Sequence, residues 1–184
     1  MIPRATTPPL ARGNRGFINR HEMLKRCLVF FCRDTGYPGV DMESGGMDKE
    51  SRRLPADVYV PGWLGGGPAW VDVAITSPMS ATCVVRAAST PGHASSERAE
   101  QKRRAYQEAA DKAGATFIPF VLEEFGGMGK EAVAFIKVIA RGYAHSRGLT
   151  LSQAVTRITQ SLVMMSQRGL ACGIEARRGD ARVV

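Results

Sequence analysis

Two aspartates interrupt two short apolar segments of this sequence. Asp57 begins residues 57–60, and Asp72 lies within residues 70–75, where valine and isoleucine otherwise dominate. An isolated charge is costly to bury, and β-strands disfavour aspartate. Carboxylate oxygens are the ligands that Mg²⁺ prefers, so one interpretation is a divalent-cation site shared by the two side chains. The other interpretation is that Asp57 begins a strand and Asp72 is a solvated edge residue.

The two segments predict a β-hairpin that would bring both carboxylates to one end. Apolar residues alternate with polar or small ones in each segment, which is typical of strands. Residues 64–68 are rich in Gly and Pro and predict the turn. A further short strand is expected over residues 40–44, where Glu43 is either a third acidic ligand or a solvated side chain.

A predicted helix from Glu97 to Ala113 carries the cation that this site would need. At about 100° per residue, Lys102 and Tyr106 lie one turn apart on the same stripe as several alanines. Small alanines leave room for close approach to the sheet, so we favour a Lys102 amine aimed at the carboxylates. The alternative is a lysine that lies along the helix and reaches water. Tyr106 either hydrogen-bonds that lysine or a phosphate, or packs under the sheet.

The remaining elements give an α/β fold. A helix is expected from Arg20 to Asp34, with Asn19 as its N-cap. A buried strand over residues 115–122 follows Gly114, and a strand-helix-strand unit of this length predicts that it runs parallel to a hairpin strand. The predicted order is helix, three strands, helix, strand, in a mixed sheet of about four strands. Two C-terminal helices follow, one ending near Tyr143 and one over about residues 150–167.

Composition and charge limit the organisation and the partners. The chain has 184 residues, 44% of them hydrophobic, which suits a single domain over residues 17–168 between basic tails at 1–16 and 169–184. The net charge of +8 favours a polyanionic partner, nucleic acid before membrane. No apolar run reaches the roughly 18 residues of a membrane span. Neither a signal peptide nor C-x-x-C spacing is recognisable, so we expect an intracellular protein without structural zinc or a disulfide framework.

Several motifs resemble the PD-(D/E)xK nuclease superfamily, which has the restriction-endonuclease-like fold. They are RLPADV (53–58), Trp63, AWVDVAITSP (69–78), the Lys-x-x-x-Tyr spacing of 102–106 and FIPFVLEEFGG (117–127). They look most like nuclease-like domains found near reverse transcriptases in mobile elements. The resemblance spans about residues 21–127.

The superfamily pattern matches this sequence residue by residue, with two departures. Asp57 matches the Asp of "PD", although Ala56 separates it from Pro55, and Asp72 matches the "D/E". The lysine expected two residues after Asp72 is replaced by Ala74. Some members carry the lysine on the following helix instead. Lys102 is placed for that role, and Glu43 matches the acidic residue before the hairpin.

The resemblance implies a metal-dependent endonuclease that hydrolyses phosphodiester bonds, with DNA favoured over RNA. Mg²⁺ or Mn²⁺ would be held by Asp57, Asp72, Glu43 and the carbonyl of Val73. Lys102 would orient the attacking water or stabilise developing charge. The expected nucleic-acid contacts are Arg52, Arg53, Arg98, Arg103, Tyr106 and His21. A homodimer would suit double-strand cutting. The alternative is a catalytically inactive nucleic-acid-binding module of a mobile element.

The two tryptophans could either stack on nucleic-acid bases or pack in the core. Trp63 and Trp70 flank the predicted turn of the hairpin. Aromatic side chains can stack on bases, but they more often fill a core. We expect both side chains to pack inside the fold.

Overall fold

The computed structural model describes residues 15–42 and 56–180, with side chains over 20–42 and 56–175. Three predicted site residues, Glu43, Arg52 and Arg53, lie outside the described residues. Within them, the chain forms a four-stranded mixed sheet with five α-helices. The predicted α/β class and strand number are therefore confirmed.

The sheet has the predicted hairpin at its centre. Its strands are β1 (Asp41–Met42), β2 (Val58–Val60), β3 (Ala69–Thr76) and β4 (Thr116–Glu123), in the order β1-β2-β3-β4. Strand β2 is antiparallel to both β1 and β3, and β4 runs parallel to β3. The Gly-rich turn between β2 and β3 contains a 3-10 turn over Trp63–Gly65. The parallel crossover predicted for the last strand is confirmed.

The helices cover both faces of the sheet. They are α1 (Arg15–Asp34), α2 (Val84–Ser89), α3 (His93–Lys112), α4 (Lys130–Arg147) and α5 (Leu151–Asp180). Within the described ranges, none of them combines the length and apolar composition needed to cross a membrane.

Two helix boundaries differ from the prediction. Helix α1 begins at Arg15, so Asn19 lies inside the helix and its assignment as the N-cap is wrong. Helix α5 continues to Asp180, well past the predicted end, so residues 169–180 are helical rather than a loose tail. The sequence suggested a break at Gly169. In the structure a Cβ at Gly169 would lie 2.5 Å from the Cα of Arg20, so this glycine permits close packing of α5 on α1.

The two faces of β3 meet different surroundings. Val71, Val73 and Ile75 face the main core, which lies between this face of the sheet and helices α1, α4 and α5. The alternate residues Trp70 and Ala74 belong to two small apolar clusters that α3 covers. Asp72 lies between them in sequence and therefore points into this thinner, alanine-rich layer.

Both tryptophans are packed, as expected. Trp63 stacks on Phe135 of α4, with ring centroids 4.8 Å apart, and lies in the main core. Trp70 is buried in the cluster beneath α3 with Phe117. Neither ring is free to stack on a base in this conformation.

Candidate functional site

The site lies along one edge of β3 that lacks a full strand partner. Strand β2 pairs only with the first residues of β3, ending at Val58 opposite Val71. Strand β4, in contrast, pairs with β3 along its whole length. Beyond Val71, the edge of β3 on the β2 side therefore has no strand partner among the described residues.

Two side chains replace the missing strand at Val73. The backbone N–H of Val73 donates to Oδ2 of Asp57 at 2.8 Å. The Val73 carbonyl oxygen lies 2.9 Å from Nε2 of His21, and Oδ2 of Asp57 lies 3.2 Å from the same nitrogen. Because both oxygens are acceptors, Nε2 must carry the hydrogen. Asp57 and His21 thus satisfy the backbone where the sheet ends.

Hydrogen bonds and nearby cations stabilise the negative charge of the Asp57 carboxylate. Its own N–H donates to the carbonyl of Val71 at 3.1 Å, which fixes the start of β2. Burial by itself raises the pKa of Asp57, but the hydrogen bond and charge of His21, the Val73 N–H and the charge of Lys25 outweigh burial and lower the pKa. In turn, the hydrogen bond to Asp57 is the main reason that the pKa of His21 is raised.

Helix α1 supplies a second cation behind Asp57. Nζ of Lys25 lies 3.9 Å from Oδ1 of Asp57 and 3.1 Å from Oε2 of Glu22. The side chain of Lys25 is only 3% exposed, whereas that of Arg26, which also pairs with Glu22, is 72% exposed. Acidic and basic side chains therefore alternate along this edge of the sheet, in the order Glu22, Lys25, Asp57 and His21.

Sequence reasoning missed Lys25 and Glu22. Lys25 follows His21 by one helical turn and lies between Leu24 and Leu28, which are both fully buried. A lysine between two residues of a buried stripe is a recognisable sign of an inward-facing charge. Only the fold, however, shows that this charge faces Asp57.

On the face of the sheet that α3 covers, Lys102 contacts Asp72. Its Nζ donates to Oδ1 at 3.0 Å and lies 2.9 Å from Oδ2. The approach to Oδ2 lacks hydrogen-bonding angles, so this buried oxygen has no hydrogen-bond partner among the described residues. The inward orientation predicted for Lys102 is confirmed.

The negative charge of Asp72 is stabilised less well than that of Asp57. Burial raises its pKa, the ion pair with Lys102 opposes that effect, and the negative charge of Asp57 raises the pKa further. The net direction is upward, although a cation is in contact. Asp57 lies near Asp72 in the fold, because Asp57 accepts from the N–H of Val73, the residue that follows Asp72.

Tyr106 and Ala74 complete the surroundings of the lysine. Nζ of Lys102 lies 5.5 Å from the centre of the Tyr106 ring, within the range of a cation–π contact. The same ring packs against Phe117, with centroids 6.0 Å apart. Ala74 is buried with Ala99 of α3, so the position two residues after Asp72 faces the same helix that carries Lys102.

The two carboxylates fit a hard divalent cation in their chemistry. Oδ2 of Asp72 is a buried acceptor without a hydrogen bond, and Asp57 adds a second charged carboxylate nearby. Among the side chains described, over residues 20–42 and 56–175, no group of three or more His, Cys, Asp or Glu forms a metal-binding cluster. Two carboxylates with waters and a phosphate are a usual ligand set for Mg²⁺. Glu43 lies outside these ranges.

Two of the predicted phosphate-binding arginines, Arg98 and Arg103, lie within the described residues, and each already has a side-chain partner. Arg103 pairs with Glu131 at the start of α4. Arg98 donates to Gln101 on its own helix at 3.0 Å. Their contacts with nucleic acid stay predictions, as do those of His21 and Tyr106.

Comparison of the sequence with protein families and with curated proteins identifies no relative. No protein-family model matches the sequence, and no curated protein is significantly similar to it. Interpretation therefore depends on the sequence motifs and on the geometry around Asp57 and Asp72. In the described part of the chain, that geometry places Asp57, Asp72 and Lys102 together where β3 extends past the end of β2.

Proposed function

We propose that this protein is a metal-dependent endonuclease with a restriction-endonuclease-like core, acting on nucleic acid inside the cell. One observation carries the proposal: the Lys102 ammonium lies within 3.0 Å of both oxygens of Asp72, beside Asp57 at the open edge of β3. An acidic pair with an inward lysine is the arrangement that the sequence motifs lead one to expect. The element order from α1 to β4 is compatible with it.

Asp57 and Asp72 are the residues that would hold Mg²⁺ or Mn²⁺, with Glu43 and the Val73 carbonyl as further proposed ligands. When bound, the cation would lower the pKa of a coordinated water and polarise a phosphoryl oxygen. Oδ2 of Asp72 is buried and, in the described part of the chain, contacts only the Lys102 ammonium, which makes it a suitable ligand atom. Asp57 is kept charged by its hydrogen bonds.

Lys102 is the proposed catalytic cation. Its ammonium is fixed between the Asp72 carboxylate and the face of Tyr106. A fixed donor in a partly buried site stabilises developing negative charge without reorganising in the transition state. Lys102 would also orient the attacking water by donating a hydrogen bond to it.

The proposed substrate is DNA, on the strength of the motifs shared with mobile-element nucleases. The net charge of +8 would favour any polyphosphate, and basic side chains that contact phosphates set position rather than sequence preference. Arg52, Arg53, Arg98, Arg103, Tyr106 and His21 are the proposed contacts. A homodimer would place two such sites on a duplex.

A cleavage assay tests the proposal. Plasmid and single-stranded DNA are incubated with Mg²⁺ or Mn²⁺ and the wild type, Asp72→Asn, or the matched control Asp111→Asn, whose carboxylate is exposed on the same helix as Lys102. We expect Asp72→Asn to lose cleavage by roughly 100-fold or more, as for loss of one essential charge-stabilising group, while Asp111→Asn keeps it. Equal cleavage by all three proteins would contradict the assignment of this site.

One observation favours a second function. Ala74 occupies the position where the superfamily has its lysine, and the described cations near the carboxylates already contact them. Such a site could belong to a nucleic-acid-binding module of a mobile element that no longer cuts. DNA binding that weakens with salt, without cleavage under either metal, would select this function over the nuclease.

A further inference from the structure

Lys25 is a buried cation that the proposed chemistry does not use. The residue is 2% exposed, and its ammonium lies 3.1 Å from Glu22 and 3.9 Å from Asp57. Taking a charge out of water costs free energy even when it is paired, and a buried ion pair is weak evidence for a role in stability. Its position next to a proposed cation ligand points to a role in that site.

We propose that Lys25 is a positioning residue that acts through Asp57 and lowers the affinity of the Asp57–Asp72 site for a divalent cation. The inference rests on the proposed function, because it concerns the same two carboxylates. A fixed ammonium near Oδ1 of Asp57 repels an incoming cation and partly neutralises the ligand that should attract it. Low exposure removes most of the solvent screening that would weaken this effect.

Arg26 provides a comparison within the same helix. Both Lys25 and Arg26 pair with Glu22, at 3.1 Å and 3.0 Å. The side chain of Arg26 is 72% exposed, and the structure gives it no ion pair with Asp57 among the described residues. Removing either cation therefore disturbs Glu22, but only removal of Lys25 changes the charge beside Asp57.

The experiment measures the dissociation constant of Mn²⁺ from the full chain without nucleic acid, using the electron paramagnetic resonance of free Mn²⁺. We expect Lys25→Met to bind roughly tenfold more tightly, since unit charges at such distances near a protein surface interact by more than the free energy of a tenfold change. Arg26→Met should stay within about twofold of the wild type, because exposed charges are screened. Lys25→Arg, which keeps the charge, should restore wild-type affinity.

The outcomes separate this inference from the proposed function. Asp72→Asn is measured in parallel, and folding of each variant is checked by circular dichroism; Lys25→Gln replaces Lys25→Met if the latter does not fold. If wild-type binding depends on Asp72 but neither neutral variant of Lys25 binds more tightly, the inference is wrong and the cation site stands. If Mn²⁺ binding is insensitive to Asp72 in every variant, the proposed function fails, and the inference fails with it.

Discussion

Asp57 and Asp72 belong to neighbouring strands, but the fold treats their carboxylates differently. Asp57 accepts from a backbone N–H and lies against His21 and Lys25 of α1. Asp72 is held by Lys102 of α3 and keeps one buried oxygen without a hydrogen bond among the described residues. Burial raises the pKa of both groups, yet the net shift is downward for Asp57 and upward for Asp72.

The difference indicates a division of labour between the two sides of the edge. Asp57 closes the sheet by taking the place of a strand at Val73, so its contacts also support the fold. Asp72 makes no such contact with the backbone of a neighbouring strand among the described residues; its two oxygens face the Lys102 ammonium at 3.0 Å and 2.9 Å. We therefore call the α1 side the structural half, and the α3 side, where the proposed chemistry would take place, the reactive half.

The largest expected effect contrasts the same substitution on the two sides. Asp57→Asn should lower the free energy of unfolding at pH 7 by about 3 kcal/mol, because it removes the partly buried negative charge that faces His21 and Lys25. Asp72→Asn should change it by less than about 1 kcal/mol, because the amide keeps an acceptor for Lys102 and removes a poorly compensated charge. Urea denaturation followed by circular dichroism measures both values.

Asp111→Asn is the control for this contrast, since it removes an exposed carboxylate and should be nearly silent. Equal destabilisation by Asp57→Asn and Asp72→Asn would show that both carboxylates serve the fold alike. The division of labour would then be wrong.

Local sequence patterns were sufficient for the parts of the site that lie on one element. Period-2 alternation predicted β2 and β3, and helical periodicity predicted that Lys102 points inward from α3. The alanines near it were expected to allow close approach, and Ala99 is buried against Ala74 of the sheet. These features depend on residues close in sequence, which is why they could be predicted from the sequence alone.

The structural half was not predictable in the same way. The pairing of His21 with Val73 joins residues 52 positions apart and depends on β2 ending early. Nothing in the alternation of residues 57–60 shows where the pairing with β3 stops. The extension of α5 through Gly169 also depends on a contact between residues distant in sequence. Gly169 permits the close approach of Arg20 on α1 and does not end the helix.

A smaller effect is expected at Lys102 and sharpens the description of the reactive half. Lys102→Met should lower the free energy of unfolding by about 2 kcal/mol at pH 7, because it leaves Asp72 as a buried charge without a cation. Adding Asp72→Asn to this variant should return most of the loss, since the amide carries no charge. Denaturation of the two single variants and the double variant gives the coupling energy.

A double variant that is less stable than Lys102→Met would contradict this expectation. It would mean that the Asp72 carboxylate stabilises the fold through contacts other than its ion pair with Lys102, because neither of these two variants retains the ammonium. Arg104→Met, which removes an exposed cation two residues further along α3, serves as the matched control and should have an effect below about 0.5 kcal/mol.

The smallest effect concerns His21 and appears as a dependence of stability on pH. The pKa of His21 is raised above its ordinary value of 6.5 in the folded protein, chiefly by the hydrogen bond to Asp57. The stabilisation is therefore complete below pH 6.5 and is lost as the pH rises through the folded-state pKa. We expect wild type to exceed His21→Gln by about 1 kcal/mol at pH 5.5, a typical hydrogen-bond contribution, and by less at pH 9.

Urea denaturation of both proteins across that range measures the difference. His145→Gln is the control, because it removes an exposed histidine of α4 and should leave the pH profile unchanged. A difference between wild type and His21→Gln that is constant from pH 5.5 to 9 would mean that the imidazole serves only as a neutral donor to the Val73 carbonyl. Asp57 would then owe its lowered pKa to the backbone N–H and Lys25, and the structural half would depend on one cation instead of two.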